Sequence, residues 1–293
     1  MRPVIIIAAC IVSVCLATGC GTPDPILPNP PSIDLSEATA RGGQLVNGLA
    51  ACGFCHSIDG RPDSSLAGGR ITRDIYGEVA GPNLTQSESG LGNWADVDIR
   101  KALRTNVRPD GSEISSRPHR GLGWLADTDI TAITAYLRSL PAIENRVSER
   151  RLSVIDRNTS GFFESKLEVR GYIPAISPQF KTEYGEYLVD NVARCASCHN
   201  KPDGWFSSEG YLAGGAEVSF DGESKVAPNI TMSTSKGISS WSDEALLNYL
   251  ESGQTPAGRE VDSRFCPVGF YAKAPIDHLR SVVAYLRTVP AVD

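Results

Sequence analysis

The sequence predicts a mainly α protein that uses one fold twice, and three observations predict it. Motifs in residues 40–143 recur in the same order in residues 183–292. Each copy closes on apolar residues at helical spacing, in the second copy Leu279, Val282, Val283, Leu286 and Val289. The stretches between are rich in Gly and Pro, with almost no strand-like alternation.

The copies align element by element. Arg41-Gly42-Gly43-Gln44-Leu45-Val46 leads into Cys52-Gly53-Phe54-Cys55-His56 as Tyr184-Gly185-Glu186-Tyr187-Leu188-Val189 leads into Cys195-Ala196-Ser197-Cys198-His199, at an offset of 143 residues without gaps. A helix is expected across each lead-in. Leu66-Ala67-Gly68-Gly69 returns as Leu212-Ala213-Gly214-Gly215. Pro82-Asn83-Leu84-Thr85 and Trp94 return as Pro228-Asn229-Ile230-Thr231 and Trp241, with a further helix expected after each Trp. Ala135-Tyr136-Leu137-Arg138-Ser139-Leu140-Pro141 returns as Ala284-Tyr285-Leu286-Arg287-Thr288-Val289-Pro290. The first closing helix is expected to be capped by Asp127 and to end at Pro141. The second takes Pro275 in its first turn and ends at Pro290.

Each copy thus carries one Cys-x-x-Cys-His pentapeptide, the spacing by which a c-type haem is attached. Two thiols add across the two vinyl groups of one porphyrin, and the adjacent His is held beneath the iron. A disulfide or half of a zinc site is the alternative for such a pair, but neither requires a His directly after the second Cys. The expectation is two haem c, bound covalently by Cys52 and Cys55 and by Cys195 and Cys198, with His56 and His199 as axial iron ligands. A domain of about 100 residues has a modest core, and an apolar porphyrin supplies much of what its helices bury against.

Covalent haem attachment takes place on the export side of the membrane, and an export signal is present. Residues 1–19 read as a signal peptide, with Arg2, an apolar run from Val4 to Leu16, and a small-residue exit at Ala17-Thr18-Gly19. Leu16-Ala17-Thr18-Gly19-Cys20 resembles a bacterial lipoprotein cleavage box, which makes Cys20 a lipidation site; an uncleaved anchor and plain secretion are the alternatives. Residues 20–36 then form a lipid-anchored tether, with five prolines between Gly21 and Pro31. At about 3.1 Å per residue it could hold the folded part roughly 30–45 Å from the bilayer. The predicted location is the periplasmic side of a bacterial membrane. Residues 37–145 and 181–293 are the two domains. Residues 146–180, with Glu149-Arg150-Arg151 and Phe162-Phe163, read as a connection packed on one of them.

Net charge is −6, with no basic run. That excludes nucleic acid as a natural partner and suits a positively charged protein surface. No Ser-His-Asp arrangement or phosphate-binding Gly loop is present.

The order Cys-x-x-Cys-His, Pro-Asn-[Leu/Ile]-Thr, Trp-[Ala/Ser]-Asp and Ala-Tyr-Leu-Arg-x-[Leu/Val]-Pro resembles the class I cytochromes c. More closely, it is similar to the cytochrome c subunits of bacterial periplasmic alcohol, aldehyde and sugar-acid dehydrogenases. The resemblance implies a tandem pair of cytochrome c domains, each wrapped around one haem, and a role in passing electrons rather than transforming a metabolite. Its partners would be a dehydrogenase or a terminal acceptor.

The chain departs from this family at the second axial ligand. The family places a Met-Pro pair shortly before the last helix; here the register holds Arg117-Pro118 and Cys266-Pro267. Met232, the one Met beyond the signal, aligns with Gln86 in a loop the family does not use for ligation. Cys266 is the leading sixth-ligand candidate for the second haem, against a buried thiol acting as a small hydrophobe. His119, two residues past the first register, is the candidate for the first haem, against an ordinary exposed His. Arg117 stays protonated and could pair with a haem propionate. His278, aligned with Asp129, reads as a surface residue. With imidazole and thiolate in place of Met, both potentials are expected below those of His/Met cytochromes.

The expected function is a membrane-tethered dihaem electron carrier between an extracytoplasmic redox partner and the respiratory chain. The alternatives are a His/Cys-ligated haem enzyme acting on sulfur compounds, as in thiosulfate dehydrogenases, a dihaem peroxidase, or a haem-based sensor of small ligands.

Overall fold

In the computed structural model, which describes residues 33–74, 77–114, 116–150, 169, 171–201 and 210–293, helices form where the repeat predicts them. The signal peptide, the lipidation cysteine and the Phe162-Phe163 pair lie outside the described residues. In the N-terminal half, Asp34 caps α1 (Leu35–Val46) by accepting from the amides of Ser36 and Glu37. Then come the short α2 (Gly53–His56), α3 (Asp96–Thr105), α4 (Ser116–His119) and α5 (Asp127–Ser139). The C-terminal half repeats the series with α6 (Lys181–Tyr187), a π turn over Leu188–Val192, α7 (Ala196–His199), α8 (Asp243–Ser252), α9 (Val268–Tyr271) and α10 (Ile276–Leu286). Among the described residues no helix is long and apolar enough to cross a membrane.

The first helix of each half crosses the last, and a glycine sits at each crossing. A Cβ on Gly42 would lie 2.0 Å from the Ala132 carbonyl oxygen, and one on Gly185 would lie 1.9 Å from that of Ser281. The two backbones therefore approach more closely than any side chain permits. The arginine of the repeated Ala-Tyr-Leu-Arg motif then ties each closing helix to the Trp loop. Arg138 donates to the Trp94 carbonyl and pairs with Asp96; Arg287 donates to the Trp241 carbonyl and pairs with Asp243.

Three features correct the expectations. First, four short strands are present where none was predicted: β1 (Ile71–Asp74), β2 (Gly77–Ala80), β3 (Glu217–Phe220) and β4 (Glu223–Val226). They form one antiparallel sheet in the order β2-β1-β3-β4, and its central contact, Thr72 opposite Phe220, joins the halves. Strands of four residues are too brief for alternation to register. Second, Ala126 rather than Asp127 occupies the cap of α5. The Asp127 carboxylate is drawn instead to Arg104 at 3.0 Å and accepts from the Ile173 amide at 2.7 Å, so it anchors the chain arriving from the connection.

Third, His278 belongs to the interface between halves rather than to the surface. Its Nε2 lies 3.1 Å from the Tyr184 hydroxyl and 3.4 Å from Arg41 Nη1. Arg41 also pairs with Asp129, whose carboxylate accepts from the Tyr187 hydroxyl at 2.7 Å. Arg41 and Asp129 are the repeat equivalents of Tyr184 and His278, so the same two positions of both copies meet across the interface. Leu45 and Val46 share one continuous core with Leu188, Val189 and Leu279.

Burial, reinforced by the Arg41 charge, lowers the His278 pKa from the ordinary 6.5 to about 4, against the opposing pull of Asp129 and Asp277. The unfolded chain therefore takes up a proton below pH 6.5 that the folded interface refuses. Stability should be flat above that value and fall as pH drops from 6.5 towards 4. Urea unfolding at pH 7.5 and 5.0 checks this, with His278→Gln expected to remove part of the difference; an unchanged difference would exclude His278 as its source.

Candidate functional site

Each Cys-x-x-Cys-His segment is one helical turn entered through a residue in the left-handed region, Ala51 at φ 45° and Arg194 at φ 55°. The turn closes on itself, with the His56 amide donating to Cys52 O at 2.9 Å and the His199 amide to Cys195 O at 2.8 Å. The repeated loops are then laced onto it. Gly68 N donates to His56 O and Gly214 N to His199 O; Leu84 N donates to Leu66 O and Ile230 N to Leu212 O. The Asn side chains fix the Pro-Asn-x-Thr loops from within. Asn83 Oδ1 accepts from the amide and hydroxyl of Thr85 at 2.9 and 2.8 Å, and Asn229 Oδ1 from those of Thr231 at 2.8 and 2.7 Å.

The product of this lacing is a fixed imidazole. His56 Nδ1 lies 2.9 Å from the Pro82 carbonyl and His199 Nδ1 lies 2.8 Å from that of Pro228. A carbonyl only accepts, so Nδ1 carries the proton and the Nε2 lone pair is left for a metal. Burial lowers the proton affinity of both rings, which keeps that lone pair available. The cysteines are half-buried. Burial pushes Cys55 up to about 11 and Cys195 up to about 12, and it raises Cys52 as well. None of the five described cysteines is in a disulfide, and among the described residues no three His, Cys, Asp or Glu side chains converge as a structural zinc site requires.

The two distal candidates take different positions. The ring centroids of His56 and His119 lie 6.1 Å apart, with the ring planes tilted by 46°. A metal ion held by both rings through bonds of about 2 Å would need ring centres about 6 Å apart, so the spacing is compatible with joint ligation by His56 and His119. Cys266 lies within electrostatic range of Cys195 and Cys198, and the Tyr249 hydroxyl donates towards its sulfur at 3.9 Å. Burial pushes its thiol up to about 12. Met232 is used elsewhere. Its sulfur receives Arg287 Nη1 at 3.8 Å, as the Gln86 side-chain oxygen receives Arg138 Nη1 at 2.8 Å in the other half. The Arg117 side chain lies outside the described residues.

These features fit covalently bound haem: paired thiols outside any disulfide, a tautomer-fixed imidazole, and in the first half a second imidazole with its ring centre 6.1 Å away. In the second motif Ser197 Oγ is buried without a hydrogen-bond partner among the described residues, as expected where a bulky group covers that turn.

Sequence reasoning missed two side chains, Arg70 and Arg194. The signal was present as breaks in the repeat, since the equivalent positions hold Ala216 and Ala51.

The cytochrome c family model matches residues 39–141. Over 281 residues the chain is 27% identical to the cytochrome c subunit of the quinone alcohol dehydrogenase of Gluconobacter oxydans, covering 88% of this chain and 56% of that protein. Over 252 residues it is 30% identical to the fructose dehydrogenase cytochrome subunit of Gluconobacter japonicus, covering 83% and 51%. Over 275 residues it is 26% identical to the diheme cytochrome c-type protein of Cereibacter sphaeroides, covering 87% of each. The chain thus spans about half the length of the two dehydrogenase subunits.

Proposed function

Residues 39–141 belonging to the cytochrome c family, we propose that the whole chain is a dihaem electron-transfer cytochrome that serves a dehydrogenase. Its tandem cytochrome c domains occupy 37–145 and 181–293. Cys52, Cys55 and His56 hold the first haem, with His119 as the opposing ligand. Cys195, Cys198 and His199 hold the second, with Cys266 as the opposing ligand. Bound haem iron supplies one-electron exchange between its ferric and ferrous states. The chain's own residues fix both imidazoles, enclose the sites and present nitrogen and sulfur donors that favour the ferric state. Exported and lipid-anchored at Cys20, the chain would carry electrons from its dehydrogenase towards the respiratory chain at the periplasmic face of the membrane.

The observation that carries this reading is the duplicated bond from a motif histidine to the proline carbonyl of its own Pro-Asn-x-Thr loop. The relatives named as dehydrogenase cytochrome subunits support the partner class. The test is to mature the protein in a host that attaches c-type haem and to assay haem per chain as the pyridine haemochrome. Two haems are expected, falling to one in Cys195→Ala/Cys198→Ala. Mixed with the catalytic subunit of a fructose or alcohol dehydrogenase and its substrate, the oxidised protein should be reduced. One haem in the wild type would overturn the dihaem reading, and turnover of thiosulfate without any dehydrogenase would replace the carrier with a sulfur-oxidising enzyme.

A further inference from the structure

Arg194 directly precedes Cys195, the first residue of the second attachment motif, yet its side chain serves the other half. Its Nε donates to the Pro118 carbonyl at 3.0 Å and its Nη2 to the Ala50 carbonyl at 2.9 Å, while Nη1 returns to Val192 O at 2.8 Å. Pro118 is the residue before His119, and Ala50 lies two residues before Cys52. One guanidinium therefore joins the second attachment turn to both sides of the first site.

Arg70 does the converse. Its side chain is almost fully buried, with the guanidinium carbon 4.4 Å from the Phe54 ring centre and 4.3 Å from that of Phe220. Its Nη1 donates to the Phe54 carbonyl, inside the first attachment motif, at 2.6 Å. Its Nη2 donates to the Arg264 carbonyl, two residues before Cys266, at 2.6 Å, and its Nε reaches Asp221 at 3.2 Å. Packing follows the same crossed pattern. Phe270, on the helix that follows Cys266-Pro267, stacks edge-on against Phe54 with ring centres 6.4 Å apart, and a Cβ on Gly53 would meet its ring at 3.1 Å.

We propose that Arg194 and Arg70 are reciprocal positioning residues, each holding the distal ligand loop of one haem against the attachment turn of the other. This inference rests on the dihaem reading above and deepens it. His119 is kept opposite His56 by a residue of the second domain, and Cys266 is kept beside its haem by a residue of the first. Neither distal ligand is then set by its own domain alone. Arg70 is almost fully buried, so releasing its carbonyl would strand a cation away from water, and the half-buried Arg194 ties its loop down through three carbonyls at once. Both arginines stand where the other copy has alanine, so each tie is made once and not by the repeat.

The test uses full-length protein carrying both haems, with Arg194→Gln and Arg70→Gln. Haem per chain is counted first; two haems in the wild type keep the dihaem reading, and only its own failure changes that count. Ligation is then read by low-temperature EPR of the oxidised protein and by carbon monoxide binding to the reduced protein. His119→Ala and Cys266→Ala provide the reference spectra for each site. Arg194→Gln is expected to give the His119→Ala pattern, with carbon monoxide binding at the first haem at least tenfold faster, and to leave the second haem unchanged. Arg70→Gln is expected to perturb the second haem alone, towards the Cys266→Ala pattern. Effects confined to each arginine's own half, equal effects at both haems, or no effect would overturn the proposal. If a Gln variant does not mature, Arg194→Lys and Arg70→Lys are judged by the same crossed pattern, since one ammonium cannot serve all the carbonyls at once.

Discussion

Asp127→Ala is expected to destabilise the protein by about 3–5 kcal/mol, the range for removing one partner of a buried ion pair. Arg104 and Asp127 are each only 2% exposed at the side chain. Arg104 Nη1 is committed to the Gly123 and Leu125 carbonyls at 2.6 and 2.8 Å, and its Nη2 lies 3.0 Å from Asp127 Oδ1 without hydrogen-bond alignment. That contact is therefore a charge pairing more than a hydrogen bond. Removing the carboxylate leaves the guanidinium buried without its counter-charge and frees the Ile173 amide from its acceptor. A melting temperature lower by roughly 10 °C, measured by circular dichroism on protein with both haems, is the expected result. Arg104→Met/Asp127→Ala should recover much of the loss, because the stranded charge goes with it. A single mutant as stable as wild type would mean that water reaches the pair.

His119→Ala should produce a large spectroscopic change at the first haem. With the ring opposite His56 gone, the first haem is expected to pass from low spin to high spin. The reduced protein should gain a carbon monoxide-binding site, one per chain, with affinity raised at least tenfold over the wild type. His119→Met should restore low spin and raise the potential of that haem, since a thioether favours the ferrous state. If the alanine variant keeps the wild-type spectrum, His119 is not the ligand and another donor must fill the gap facing His56.

Much of this was legible because the chain states its plan twice. A motif that recurs at a constant offset shows which residues a fold requires, and so the helices, both attachment turns and the Pro-Asn-x-Thr loops could be read directly. His119 could be raised as a candidate because the family register at Arg117-Pro118 holds no donor. What could not be read was whatever depends on how the copies meet. Comparing copies treats each as alone, so His278 looked like a surface position when it faces Arg41 and Tyr184. The sheet was missed because its strands are four residues long, and its one rung between the halves, Thr72 with Phe220, has no counterpart in a comparison of the copies. Asp127 looked like a cap because its local sequence suits one. A residue from the connection and an arginine on α3 claimed its oxygens first.

The sheet also orders events in time. Its central rung pairs Thr72 with Phe220, two residues separated by half of the chain, and closing so long a loop is slow compared with forming a local helical turn. Cys52, Cys55 and His56 precede β3 by about half the chain, so the first attachment turn can form before β3 is made. The first attachment turn has loop bonds of its own, Gly68 to His56 and Leu84 to Leu66, that need nothing from the second half. Pairing across the halves is therefore expected to be slower than folding within either one.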